Sequence, residues 1–312
     1  MKILVTGAAG FVGSSLVERA LRDGHSVVGI DALTDYYDVA LKETNLQRIA
    51  SPDFTLVRED INNVDLSALF DGVDVVFHQA GQPGVRKSWG KDFATYTTQN
   101  ILATQKLLEQ AKKSPELKRF VYASSSSIYG NAASYPTLET DRPEPISPYG
   151  VSKLAAEHLC TLYGKNFGVP TTSLRYFTVF GPRQRPDMAF TRFLQAALNG
   201  TEITVFGTGE QIRDFTYIQD VVDANFLAAN SETAAGSIYN VAGGSNVSVN
   251  EVLDTIRRIS GAALNVRRID PVPGDVWRTG GSSERIRGEL GWKPKYSVEE
   301  GLRAQYEWVR EL

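Results

Sequence analysis

Cysteine is almost missing. The 312 residues include one, Cys160, with two methionines and three histidines. A lone cysteine closes no internal disulfide, which fits a reducing compartment, so a cytoplasmic chain is expected. No apolar stretch approaches the roughly 18 residues that a membrane helix needs. Even the uncharged segment Phe120–Leu138 is rich in serine, tyrosine, glycine and proline. Glycines interrupt the apolar opening straight after Thr6, so no secretory signal is expected. Charge of one sign is lacking too. The 33 Lys+Arg against 36 Asp+Glu leave a net charge of −3, which offers nucleic acid no basic surface. His25, His78 and His158 are widely spaced. His158 and Cys160 lie two apart on a predicted helix and point to different faces, so no metal site is expected and all four are read as structural. Trp89, Trp277, Trp292 and Trp308 are read as packing residues. The hydrophobic fraction of 42% with 22% charged residues is that of a globular chain, which excludes disorder, collagen and coiled coil.

What is present is an alternation. Ile3–Val5, Ser26–Ile30, Phe54–Val57, Val73–Phe77, Arg119–Ala123 and Thr171–Arg175 read as buried strands. Helical stripes fall between them, over Phe11–Arg22, Asn100–Lys112 and Tyr149–Asn166. Such βαβ repetition predicts an α/β fold, a Rossmann-type doubly wound parallel sheet covered on both faces. After about Thr178 the pattern breaks into mixed elements and Gly-rich turns. A Rossmann domain over 1–177 is expected, rejoined by about 212–242, with a smaller C-terminal α/β substrate lobe over 178–312.

Gly7-Ala8-Ala9-Gly10-Phe11-Val12-Gly13 follows the first strand and opens the first helix. Gly7 permits a tight turn, Gly10 admits a pyrophosphate to the backbone, and Gly13 lets helix and strand approach. The helix start then faces phosphate with unpaired N–H groups. Asp31 ends the second strand, where a carboxylate accepts both ribose hydroxyls and repels a 2′-phosphate. NAD is therefore expected over NADP. Asp60 and Ile61 are expected at the adenine. Gln79, Ala80 and Gly81 follow the fourth strand and are expected along the cofactor.

Tyr149 and Lys153 stand at i, i+4 on one helix face. A free phenol titrates near 10, too high for a base at neutral pH, and an adjacent ammonium lowers it. Alone, such a pair reads as a surface pair, since Tyr-x-x-x-Lys is common by chance. Ser124-Ser125-Ser126-Ser127 lies just past the fifth strand, where hydroxyls hold a polar substrate or satisfy their own loop.

Together, the glycine run, Asp31, the serine run ending Ile128-Tyr129-Gly130, Tyr149-x-x-x-Lys153, Arg175-Tyr176-Phe177-Thr178-Val179-Phe180-Gly181-Pro182 and Gly207-x-Gly209-x-Gln211-x-Arg213-Asp214-Phe215 resemble the extended short-chain dehydrogenase/reductases, within them the nucleotide-sugar epimerases. The resemblance covers essentially the whole chain. It implies that Tyr149 as phenolate takes the sugar 4-hydroxyl proton, with Ser125 on the same oxygen. Lys153 holds the nicotinamide ribose and keeps Tyr149 ionised, and Tyr176 lies at the cofactor. The C4 hydride goes to NAD⁺ and returns to the other face of a 4-keto sugar.

Relatives that dehydrate or decarboxylate such sugars carry a carboxyl residue where this chain has Ser127, which favours epimerisation. Asp31-x-x-Thr34-Asp35-Tyr36-Tyr37-Asp38, Thr178 and Arg185-Pro186-Asp187 resemble UDP-glucuronate 4-epimerases. The resemblance implies a sugar carboxylate at Ser126, Ser127 and Thr178, with Arg185 either supplying charge nearby or staying a solvated loop residue. Arg86 and Lys87 are candidate substrate contacts. Arg213 is expected at the diphosphate, and Asp275 and Arg278 over the uridine ribose and phosphates. Alternatives are a UDP-glucose or UDP-GlcNAc 4-epimerase, a dehydratase or decarboxylase, or an NAD-binding sensor without chemistry. The helices over Asn100–Lys112 and Tyr149–Asn166 are either a homodimer interface, as the family implies, or sheet-covering helices.

Overall fold

The computed structural model describes residues 1–270 and 276–312. Asp275, expected at the uridine, lies outside the described residues.

The chain runs β1 (Lys2–Thr6), α1 (Phe11–Arg22), β2 (Ser26–Ile30), α2 (Val39–Gln47), β3 (Phe54–Val57), α3 (Leu66–Leu69) and β4 (Val75–His78). It continues through α4 (Phe93–Tyr96), α5 (Ala103–Ala111), β5 (Arg119–Ser125), α6 (Pro148–Phe167) and β6 (Thr171–Tyr176). These strands stand in the order β6-β5-β4-β1-β2-β3, every neighbouring pair parallel. The order reverses between β1 and β4, and such sheets bind ligands at the carboxyl ends beside that switch.

Alternation along the strands divides the core. Ile3, Val5, Val75, Phe77 and Val121 pack on one face with Leu16 and Val17. Leu4, Val76, Phe120 and Tyr122 pack on the other with Leu107, Leu108 and Cys160. Both faces are covered, which explains strands apolar at almost every position.

The remaining elements are β7 (Thr178–Phe180), α7 (Ala189–Asn199), β8 (Ile203–Phe206), β9 (Ile212–Tyr217), α8 (Ile218–Asn230) and β10 (Ile238–Val241). After them come β11 (Ser245–Ser248), α9 (Val249–Ser260), β12 (Val266–Ile269), α10 (Glu284–Leu290) and α11 (Val298–Arg310). β10 pairs in parallel with β6 and becomes the outer strand of the large sheet. β7, β9 and β11 form a separate sheet, and β8 pairs with β12. Helices α9 and α11 each start on a capping box, Ser248 with Glu251 and Ser297 with Glu300, which satisfies two otherwise orphaned donors at each helix start.

Two sequence expectations need correction. Between α4 and α5 the backbone is π-helical over Thr97–Leu102. One residue more per turn swings Asn100 inward, a change that side-chain periodicity does not signal. Trp292 and Trp308 are core residues, and the Trp292 indole donates to the Asp220 carbonyl at 2.8 Å. Trp89 and Trp277, however, are 51% and 60% exposed. Both stand on irregular segments outside the helices and strands.

Candidate active site

The carboxyl ends of β1, β2, β4, β5 and β6 open into one cavity of about 450 Å³. Gly7, Gly10, Phe11, Val12 and Gly13 line it from the first turn, and Asp31 from the end of β2. Asp60, Ile61, Gln79, Ala80 and Gly81 continue the wall. Ser125, Ser126, Ser127, Tyr149, Lys153, Tyr176, Thr178 and Arg185 close the other end. A second cavity of about 400 Å³ adjoins through Tyr36, Thr178 and Arg185, and is lined by Arg86, Lys87, Phe206 and Arg213.

The first end fits a dinucleotide. α1 begins at Gly10 with no side chain capping its N–H groups, and a helix start of that kind takes phosphate. Gly7 has a φ of +69°, and a Cβ there would come within 2.9 Å of the Ala80 nitrogen. A Cβ on Gly13 would lie 2.0 Å from the Gly7 carbonyl oxygen. Glycine at these two positions therefore sets how closely the turn, helix and β4 loop approach. The Asp31 carboxylate is held by the backbone N–H groups of Ala9 at 3.0 Å and Leu33 at 2.8 Å, with lone pairs left for a diol. Gly13→Ala should destabilise the fold by about 1–3 kcal/mol, the range for overpacking, and weaken NAD binding. Melting and calorimetric titration with NAD check this; unaltered affinity would remove α1 from the binding site.

At the other end, α6 is started by Ser147, whose hydroxyl accepts from the Gly150 N–H at 3.1 Å, with Pro148 in the first turn. Tyr149 thus stands in the first turn and Lys153 one turn on. The Lys153 ammonium donates to the Ala123 carbonyl at 2.8 Å and lies 5.0 Å from the Tyr122 ring. Burial lowers it to about 8. In the protein alone, the ammonium does not bring the expected depression of the Tyr149 phenol. Burial raises it, while the Ser125 hydroxyl and Arg185 guanidinium pull the other way. Desolvation of the phenolate outweighs them, and the ammonium is spent on a carbonyl.

Beneath the serine run lies a buried ion pair. The Arg175 guanidinium donates to both Glu157 oxygens, at 2.7 and 3.0 Å, and to the Tyr129 hydroxyl at 2.6 Å. Ser124 donates to Glu157 at 2.6 Å. Both ends of the run, Ser124 and Tyr129, are thereby tied to one pair, and the Ser125 hydroxyl accepts from the Ser127 N–H at 3.1 Å.

Asn100 was not legible as a site residue. Its amide accepts from the Gln82 N–H at 2.6 Å and donates to the Gln82 carbonyl and the Ser152 hydroxyl. It pins the β4 loop to α6 beside Lys153. Tyr96 does likewise, donating to the Pro83 and Gly84 carbonyls at 2.8 and 2.7 Å, with its ring edge-on to Tyr149 at 6.3 Å.

Other expected residues fall in different places. The Arg86 guanidinium lies 4.0 Å over the Phe206 ring. Arg213 donates to the Trp277 carbonyl at 3.1 Å. Arg278 is not among the residues lining either cavity; its guanidinium lies over the Tyr135 ring at 4.9 Å, a cation–π contact. His78 is structural and neutral, its ring bonded to the Thr6 and Thr104 hydroxyls, with burial lowering it to about 3. His158 is exposed, so it does not pack as expected. Among the described residues no three metal-ligating side chains come together, and no helix is long and apolar enough to cross a membrane.

Comparison with known proteins gives a consistent result. Residues 3–242 match the NAD dependent epimerase/dehydratase family. A Bacillus subtilis protein described as an uncharacterized UDP-glucose epimerase is 41% identical, the alignment covering 100% of this chain and 99% of that one. The UDP-glucuronate 4-epimerase of Thermodesulfobacterium geofontis is 36% identical, over 99% of this chain and 96% of its own. The crystal structure of UDP-glucuronic acid 4-epimerase from Bacillus cereus, with UDP-glucuronic acid and NAD, superposes with a TM-score of 0.96 at 43% identity, covering 100% of this chain and 99% of that one.

Proposed function

The chain belongs to the NAD dependent epimerase/dehydratase family, and from that premise we propose that it is an NAD-dependent 4-epimerase of a UDP-hexuronic acid, converting UDP-glucuronate to UDP-galacturonate. The observation that carries this reading is one cavity holding an uncapped helix start with Asp31 at one end, and Ser125, Tyr149 and Lys153 with Ser126, Ser127, Thr178 and Arg185 at the other.

NAD⁺, when bound, supplies the hydride acceptor and later the donor. Tyr149 removes the 4-hydroxyl proton and returns it after the ring has turned. Ser125 orients that hydroxyl. Lys153 supplies positive charge one helical turn from the phenol. The Ser126, Ser127 and Thr178 hydroxyls hold the sugar carboxylate, and Arg86 and Arg213 take the diphosphate. The 4-keto form is a β-keto acid, so those hydroxyls must also keep its carboxylate from the alignment that expels CO₂. No carboxyl side chain stands in the serine run, and Glu157 beneath it is spent on Arg175. Both facts support epimerisation over dehydration.

A homodimer through α5 and α6 is supported by exposed Leu102, Val151, Leu162 and Phe167 on or beside these helices. A cytoplasmic location is supported by the single, buried Cys160.

Incubation with UDP-glucuronate and NAD, followed by chromatography, tests the function. UDP-galacturonate without net NAD reduction is expected. UDP-pentose with CO₂ would make it a decarboxylase, turnover of UDP-glucose alone a neutral-sugar epimerase, and bound NAD without turnover a sensor.

A further inference from the structure

Arg185 stands in the cavity beside the serine run, yet the Nε–Nη2 fork of its guanidinium is already filled. Nε donates to one oxygen of Asp187 at 2.9 Å and Nη2 to the other at 3.1 Å. That is the two-point geometry by which arginine grips any carboxylate. The pair is partly solvated, the two side chains being 21% and 35% exposed. Tyr36, which lines both cavities, stands near the pair, and burial raises its phenol with help from the Asp187 charge. Its hydroxyl packs so closely on Gly84 that a Cβ there would overlap it. Asp187 is thus held by the arginine, with the tyrosine close by.

We propose that Asp187 is a positioning residue that occupies the Arg185 fork and so keeps it off the substrate's sugar carboxylate. This rests on the reading of the substrate as a UDP-hexuronic acid. Epimerisation requires the ketone intermediate to turn and present its other face. A carboxylate clamped by two charge-assisted hydrogen bonds resists that turn, whereas serine and threonine hydroxyls release it readily. Asp187 gives up ground-state affinity and keeps the ring free to rotate. Arg185 then contributes long-range attraction without a grip.

Asp187→Asn frees the fork with little change of shape. Its Kd for UDP-glucuronate, by calorimetry, should fall about 3- to 10-fold, the scale of one partly exposed ion pair gained. Its kcat for epimerisation should fall too, and its Kd for UDP-glucose should stay as in the parent. Asp187→Ala should repeat this split, and Asp187→Glu should restore parental values. A Kd that does not fall, a fall shared by UDP-glucose, or a kcat that does not fall overturns the proposal. If the parent protein does not epimerise UDP-glucuronate, the substrate reading fails and this inference with it. Parental turnover with no split in the variants sinks this inference alone.

Discussion

Replacing Tyr149 by phenylalanine is expected to cut epimerisation of UDP-glucuronate by about 10²–10⁴-fold, the range for losing a positioned acid–base group. Binding of the substrate should change little, because the ring that packs edge-on to Tyr96 is retained. The effect is large because the proposed mechanism gives one group two jobs: it takes the proton at oxidation and gives it back at reduction. The site makes that ionisation hard. Burial raises the phenol, and the Ser125 hydroxyl and the Arg185 charge oppose it. Lys153 is turned to the Ala123 carbonyl and Glu157 to Arg175, so neither stands ready as a second base. Rapid-quench product analysis and calorimetry on the same variant check this. A phenylalanine variant within tenfold of parental turnover would remove Tyr149 from the mechanism.

The second large effect concerns stability. Glu157→Ala strands the Arg175 guanidinium, 3% exposed as a residue, without its counter-charge. Breaking a buried pair from one side costs about 3–5 kcal/mol, a fall in melting midpoint on the order of 10 °C for a chain of this size. Turnover should fall as well, since Ser124 and Tyr129, the two anchors of the serine run, lose a shared support. Glu157→Gln keeps the shape and the hydrogen bond from Ser124, so it should lie between. The double change Glu157→Ala with Arg175→Met should recover part of the loss, because no unpaired charge is then left inside. Thermal melts of the three variants decide it. A single Glu157→Ala variant that melts with the parent would mean that the pair does not hold the loop.

Much of the architecture was legible in the residues. β-Branched runs alternating with amphipathic stripes led to the parallel sheet, and Phe11–Arg22 was located to the residue. The glycine turn, Asp31, the serine run and Tyr149-x-x-x-Lys153 converge on one cavity. Each of them is local: a strand end, a turn or one helical turn, whose geometry follows from chain stereochemistry over a few residues. The π turn was hidden because one extra residue in a helix leaves the apolar stripe nearly unchanged. Asn100 was missed for the same reason, and Tyr96, at the end of α4 just before the π turn, because nothing in the sequence marks its hydroxyl as a tie to the β4 loop.

The order of the sheet strands along the chain and the local turns that carry the glycine run, Asp31 and Tyr149-x-x-x-Lys153 were therefore determined by sequence, through short-range rules of backbone and side-chain periodicity, and the chemistry expected of those residues came from the family resemblance. The direction in which Tyr149 titrates, the partner that Arg185 takes and the burial of Glu157 against Arg175 were decided by the tertiary structure. Burial and pairing between distant segments set how strongly charge is solvated, and that quantity has no counterpart along the chain.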